Sequence, residues 1–151
     1  MKLTEHFSLE EMVASDIAVR HSINNNPSGD IVVNLRRLAE FLEKVRLLLN
    51  KPIHINSAYR SPEVNNLLGS KPTSQHCVGC AADIRVDGMT PDEIVRTIKD
   101  GSIVFDQLIY EFDTWIHISR PAIGEQPRAS KLMIGKWTNG LYLPYDAGSI
   151  P

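Results

Sequence analysis

Ser74-Gln75-His76-Cys77-Val78-Gly79-Cys80-Ala81-Ala82-Asp83 decides how the rest of the chain reads. A histidine and an aspartate stand seven positions apart with small residues between them. Small side chains let a loop fold back so that both functional groups aim at one centre. Asp83 enters Ala82 to Val86, which reads as a short strand. A third group lies downstream at His117, in Trp115-Ile116-His117-Ile118-Ser119. Alternation along that stretch turns Ile116 and Ile118 towards a core, and His117 and Ser119 the other way. Two imidazoles and one carboxylate suit a catalytic Zn2+ that leaves a fourth position open for water.

Upstream, Ser8 and Glu11 form a capping box, which predicts a helix from about residue 9 to 19. Asn24 to Gly29 is a loop by composition. Asp30 can cap the next helix, in which Val32, Leu35, Leu38, Leu42, Val45 and Leu49 recur at the spacing of a core-facing stripe. Lys51-Pro52 stops it, and Pro52 to Ser57 alternates Ile53 and Ile55 against His54 and Asn56 as a half-buried strand does. Ser61-Pro62-Glu63 opens a brief helix closed by Gly69, and Thr90-Pro91 opens another ended by Gly101. Gln107 to Phe112 and Trp115 to Ser119 read as strands. Asn139-Gly140 is the strongest hairpin signal, because both central positions of a type I′ turn want positive φ. Helices come first and strands mostly late, so the expected class is α+β in a single domain over 1–151.

Composition excludes several classes. The 151 residues carry 42% hydrophobic and 23% charged residues and a net charge of −2, without a basic run. That lacks the electrostatic footprint of a nucleic-acid binder. No apolar stretch approaches the roughly 18–20 residues that span a bilayer. Two cysteines cannot build a disulfide framework, and Cys77-x-x-Cys80 lacks the second ligand pair of a zinc ribbon. Both read as small packing residues, with a local disulfide the minor alternative.

Ser-x-His-x-x-Gly-x-Ala-x-Asp over 74–83, followed by Trp-Ile-His at 115–117, resembles the zinc D-Ala-D-Ala carboxypeptidases of peptidase family M15. That family includes bacterial cell-wall peptidases and phage endolysins, and it shares its fold with the hedgehog signalling domain. Phe-Ser-Leu-x-Glu at 7–11 and Ser57-Ala58-Tyr59-Arg60-Ser61 agree with it. The resemblance implies a hedgehog/DD-peptidase fold, an antiparallel sheet with helices mainly on one side. It implies His76, Asp83 and His117 as zinc ligands and Arg60 as the receiver of a substrate carboxylate. The substrate would be a peptidoglycan stem peptide, cut next to a D-amino acid by a D,D-carboxypeptidase or an endopeptidase. Ser74 would contact substrate or steady the loop, and Tyr59 would line the pocket or join the core.

The family also uses a general base ahead of its last ligand. Many cell-wall members carry Glu-x-x-His, but Thr114 stands there in this chain, and Glu111 lies six positions before His117. On one extended strand those residues would stand about 20 Å apart, at ~3.3 Å per residue. They meet only if the chain turns near Asp113-Thr114. A three-residue loop centred on Thr114 would place Glu111 opposite His117. A two-residue loop would place Tyr110 there and leave Asp113 as the reserve base. His6, His21 and His54 are expected to be structural or surface residues. A non-catalytic zinc-binding module of the same fold is the alternative function, and a phage-particle assembly protein is a second. Met1 to Met12 carries acids where a signal peptide has its apolar core, so synthesis in the cytoplasm is expected. Action on the cell wall would then need release, as for a phage lysin, by a chain expected to be monomeric. The stretch around Asn139-Gly140 could line the substrate groove.

Overall fold

Capping side chains decide where four of the five α-helices start. The computed structural model describes residues 1–151. Ser8 accepts a hydrogen bond from the Glu11 N–H and opens α1 (Leu9–Val13). The single helix expected over 9–19 is in fact two, because Ser15 accepts from the Ala18 N–H at 3.1 Å and opens α2 (Asp16–Arg20). Ala14 and Ser15 are extended between them, a side-chain cap having outcompeted helix continuation. α3 (Gly29–Leu49) begins at Ser28 rather than Asp30, which sits in the first turn where its charge complements the helix dipole. Asn50 ends α3 in the left-handed region at φ 54°, its N–H donating to the Arg46 carbonyl.

The remaining elements are β1 (His54–Ser57), α4 (Pro62–Leu67), a 3-10 turn (Gln75–Val78), β2 (Ala81–Arg85), α5 (Pro91–Asp100), β3 (Gln107–Glu111), β4 (Trp115–Ser119), β5 (Ser130–Ile134), a second 3-10 turn (Lys136–Thr138), β6 (Leu143–Pro144) and a last 3-10 turn (Ala147–Ser149). The strands form one sheet in the order β1-β2-β4-β3-β5-β6. Every pairing is antiparallel except β3 with β5. The class is α+β.

The sheet has one core face and one working face. Leu108, Tyr110, Ile84, Ile116, Ile118 and Met133 join a cluster of 25 buried residues with Leu35, Leu38, Leu42 and Val45 of α3 and Ile94, Val95 and Ile98 of α5. Each fully buried aliphatic side chain there contributes about 1.5–3 kcal/mol of transfer free energy. Alternation then puts Asp83, Ile109, Glu111 and His117 on the opposite face.

Two turns differ from the sequence reading. The tight hairpin is at Phe112-Asp113, where both residues take positive φ (54° and 58°) and the Thr114 N–H donates to the Glu111 carbonyl at 3.1 Å. Asn139-Gly140 also takes positive φ at both positions, yet it does not join two strands directly. Gly135 and Thr138 bond one another through backbone and hydroxyl, winding the chain into a 3-10 turn first. β5 and β6 therefore pair across a longer connection, with Met133 opposite Leu143.

Candidate metal centre

Asp83 and His117 stand directly opposite one another on neighbouring strands β2 and β4, so their side chains share the working face. On the other side of β2 the register with β1 slips, Ile55 facing Ile84 but Ser57 facing Asp83. This bulge breaks the alternation expected over 52–57 and redirects the chain leaving β1. Ala58, Tyr59 and Arg60 thereby run alongside the Gln75–Val78 turn, where the Arg60 N–H donates to the His76 carbonyl at 3.2 Å.

That turn delivers His76. Ser74 caps it by accepting from the His76 N–H at 3.3 Å. Gly79 closes it at φ 73°, where a Cβ would also stand 3.2 Å from Ile31 and Leu35. His76 is 1% exposed. Its Nδ1–H donates to the Ala58 carbonyl at 2.6 Å, which leaves the Nε2 lone pair free. Asp106 steadies the turn from outside by accepting from the Gln75 side-chain amide at 2.8 Å.

Three donor atoms then converge. Asp83 Oδ1 lies 3.3 Å from His76 Nε2 and 3.2 Å from His117 Nδ1. A tetrahedral zinc with bonds of about 2.0–2.1 Å spaces its ligand atoms about 3.3 Å apart, so the set fits that ion. The imidazole centroids are 5.1 Å apart at an interplanar angle of 67°. His76 Nε2 is buried without a hydrogen-bond partner, as a ligand atom kept for a cation would be. Burial pushes the Asp83 carboxyl up, but the neighbouring imidazoles of His76 and His117 outweigh it and hold it well below the usual carboxylate range. His76, Asp83 and His117 form a group that could hold a metal ion.

The β3–β4 register corrects the expected loop. The three loop residues are Phe112, Asp113 and Thr114, centred one position earlier than Thr114, so Glu111 pairs with Trp115 and Ile109 with His117. Glu111 nevertheless keeps the face of His117, displaced along the strand by two residues. Its carboxylate accepts from Trp115 Nε1 at 2.7 Å. Burial and the negative charge of Asp83 push the Glu111 carboxyl up, against His117, the Trp115 bond and Arg60. Asp113 accepts from the Tyr110 hydroxyl, on a residue of the core face. The reserve base is thus turned away from the three-donor group.

The remaining candidates divide. Arg60 is near enough for its charge to act on Glu111; its Nη1 donates to Ser70 Oγ at 3.2 Å, and its buried Nε has no partner. Ser74 spends its oxygen on the cap. Tyr59 is 6% exposed and belongs to the core cluster. His54 bonds Asp87 at 3.0 Å and His6 bonds Glu43 at 2.8 Å, both at the surface. Cys77 and Cys80 are free thiols. The bond from Trp115 to Glu111 and the Gln75–Asp106 brace escaped sequence reading, since each depends on register or on partners distant in the chain.

Two imidazoles and a carboxylate beside a half-buried acid held by Trp115 define a candidate centre for metal-assisted hydrolysis. The profile of the family described as Peptidase M15 matches residues 5–119, and the chain belongs to this family of metallopeptidases. Comparison with curated proteins found no match.

Proposed function

We propose that the protein is a zinc-dependent peptidase that hydrolyses peptidoglycan stem peptides at a bond next to a D-amino acid, acting at the cell wall as a monomer. The observation that carries this reading is the convergence of His76 Nε2, Asp83 Oδ1 and His117 Nδ1 on the face that also holds Glu111. Its relation to the hedgehog/DD-peptidase fold belongs to the same proposal.

His76, Asp83 and His117 would hold a zinc ion, which when bound would supply Lewis acidity and make water a nucleophile at neutral pH. Glu111 accepts the proton of the attacking water and returns it to the leaving amine. Burial pushes its pKa up, towards the range in which a base both takes and gives protons. Trp115 Nε1–H orients the carboxylate and leaves its second oxygen for the proton. Arg60 receives a substrate carboxylate through parallel charge-assisted hydrogen bonds, a geometry that suits guanidinium better than lysine. Its unpartnered Nε supports the assignment.

The test pairs stem peptides that end in a free carboxylate with the same peptides amidated. Arg60→Ala should slow cleavage of the free-carboxylate peptides at least about tenfold more than that of the amidated ones, as expected when a charge-assisted bond worth about 1.5–3 kcal/mol is lost. Equal losses on both would remove Arg60 from carboxylate recognition and favour an endopeptidase over a carboxypeptidase.

A further inference from the structure

The connection Gly135–Tyr142 between β5 and β6 is a fixed piece of chain. Thr138 bonds both backbone groups of Gly135, and the Gly140 N–H returns to the Gly135 carbonyl at 3.2 Å. The Trp137 ring packs edge-on against Tyr110, with centroids 5.8 Å apart. It covers Gly135 so closely that a Cβ there would fall 1.9 Å from the ring, so only glycine fits beneath it.

Tyr142 ends this connection, and the strand register sets where it stands. Glu111 on β3 pairs with Ile134 on β5, while the preceding pair, Tyr110 with Met133, continues to Leu143 on β6. Leu143 continues the row of Tyr110 and Met133 at the exposed edge of the sheet. Tyr142, one residue before β6, carries the alternation on into the row of Ile134 and Glu111. The electrostatics agree: burial and the charges of Glu111 and Asp83 push the phenol up, against the charge of Arg60, so the hydroxyl keeps its proton. Tyr110 and Tyr145 donate their hydroxyls to Asp113 and Asp92, whereas no protein acceptor takes that of Tyr142. The residue is 56% exposed, open to the solvent from which a peptide would enter.

We propose that Tyr142 contacts substrate, its hydroxyl donating a hydrogen bond to the carbonyl oxygen of the scissile bond as that oxygen gains negative charge. This rests on the peptidase reading above. Arg60 takes the carboxylate end, and Tyr142 is near enough to Glu111 and Asp83 for their charges to act on its phenol. A donor aimed at developing charge favours the transition state over the bound substrate, so its loss lowers kcat more than it raises KM.

The test uses the zinc-loaded full chain and its Tyr142→Phe variant. In enclosed sites such a donor is worth about 10²–10³ in kcat, and an exposed one less. Tyr142→Phe should therefore lower kcat on a stem peptide at least tenfold, with KM within threefold. Zinc content and melting temperature should stay unchanged. Binding of a peptide phosphinate, which mimics the anionic tetrahedral state, should weaken by a factor similar to the kcat loss, while product binding stays the same. Activity within twofold of wild type, a loss confined to KM, or undiminished phosphinate binding would overturn the inference. A wild-type chain that cleaves no stem peptide would overturn the peptidase reading and this inference with it. An active wild type beside an undisturbed variant would overturn the inference alone.

Discussion

His76 commits one ring nitrogen to the Ala58 carbonyl and keeps the other for the centre, so a single hydrogen bond selects the tautomer a ligand needs. His117 receives its orientation from the strand pairing with Asp83. Replacing His117 with alanine should cost both bound zinc and thermal stability, because a metal that binds only the folded chain adds its binding energy to folding. Unchanged zinc content by atomic absorption would refute its role as a ligand. Glu111→Gln should keep zinc but lower kcat/KM at least about 10²-fold, the usual scale of general-base catalysis. Activity needs the carboxylate, so the wild-type rate should fall as pH drops through a Glu111 pKa held above its ordinary value by burial. The Trp115 bond favours the charged form. Trp115→Phe should therefore move that acidic limb to higher pH, and a limb that stays put or moves down would argue against Glu111 as the titrating base.

The return from β4 to β5 depends on Asp106, which is buried at the start of β3. Its carboxylate accepts from the Arg128 backbone at 2.8 Å, from Arg128 Nη2 at 2.6 Å and from Gln75 at 2.8 Å. One side chain thus joins the long loop, the parallel strand and the turn that carries His76. Burial pushes this carboxyl up, but the bonds from Arg128 and Gln75 prevail and hold it below its ordinary value. A depressed pKa gives stability that is full above the unfolded value near ~3.9 and is lost as pH falls through the folded value. Asp106→Asn should therefore destabilise the protein by about 1–3 kcal/mol at neutral pH, with the gap to wild type closing below about pH 4. Denaturant unfolding at both pH values checks this, and a gap that ignores pH would contradict it. Such a clamp was invisible in the sequence because Gln75, Asp106 and Arg128 are far apart and carry no motif. Helices with strong stripes or proline-led caps, α3, α4 and α5, were legible because their cause is local. The split at Ser15 and the winding at Gly135–Thr138 were not, because there a side-chain hydrogen bond beat the periodic pattern.

The whole chain uses its sheet as a partition. Apolar alternation sends one face to α3 and α5, and the polar residues left over necessarily collect on the other. This is why His117 could be turned away from the core from alternation alone, and grouped with His76 and Asp83 as a ligand set, whereas Tyr142 could not be placed. Its placement depends on a parallel β3–β5 pairing that no local signal announces. No helix is long and apolar enough to cross a membrane. The most direct test of the account is digestion of purified peptidoglycan by the zinc-loaded chain, after chelation, and after zinc is added back, with mass analysis of the released pieces. The account predicts release of D-alanine or of split cross-linked peptides that stops on chelation and returns with zinc. No release from a chain carrying one zinc per molecule would contradict it and leave a zinc-binding module without catalysis.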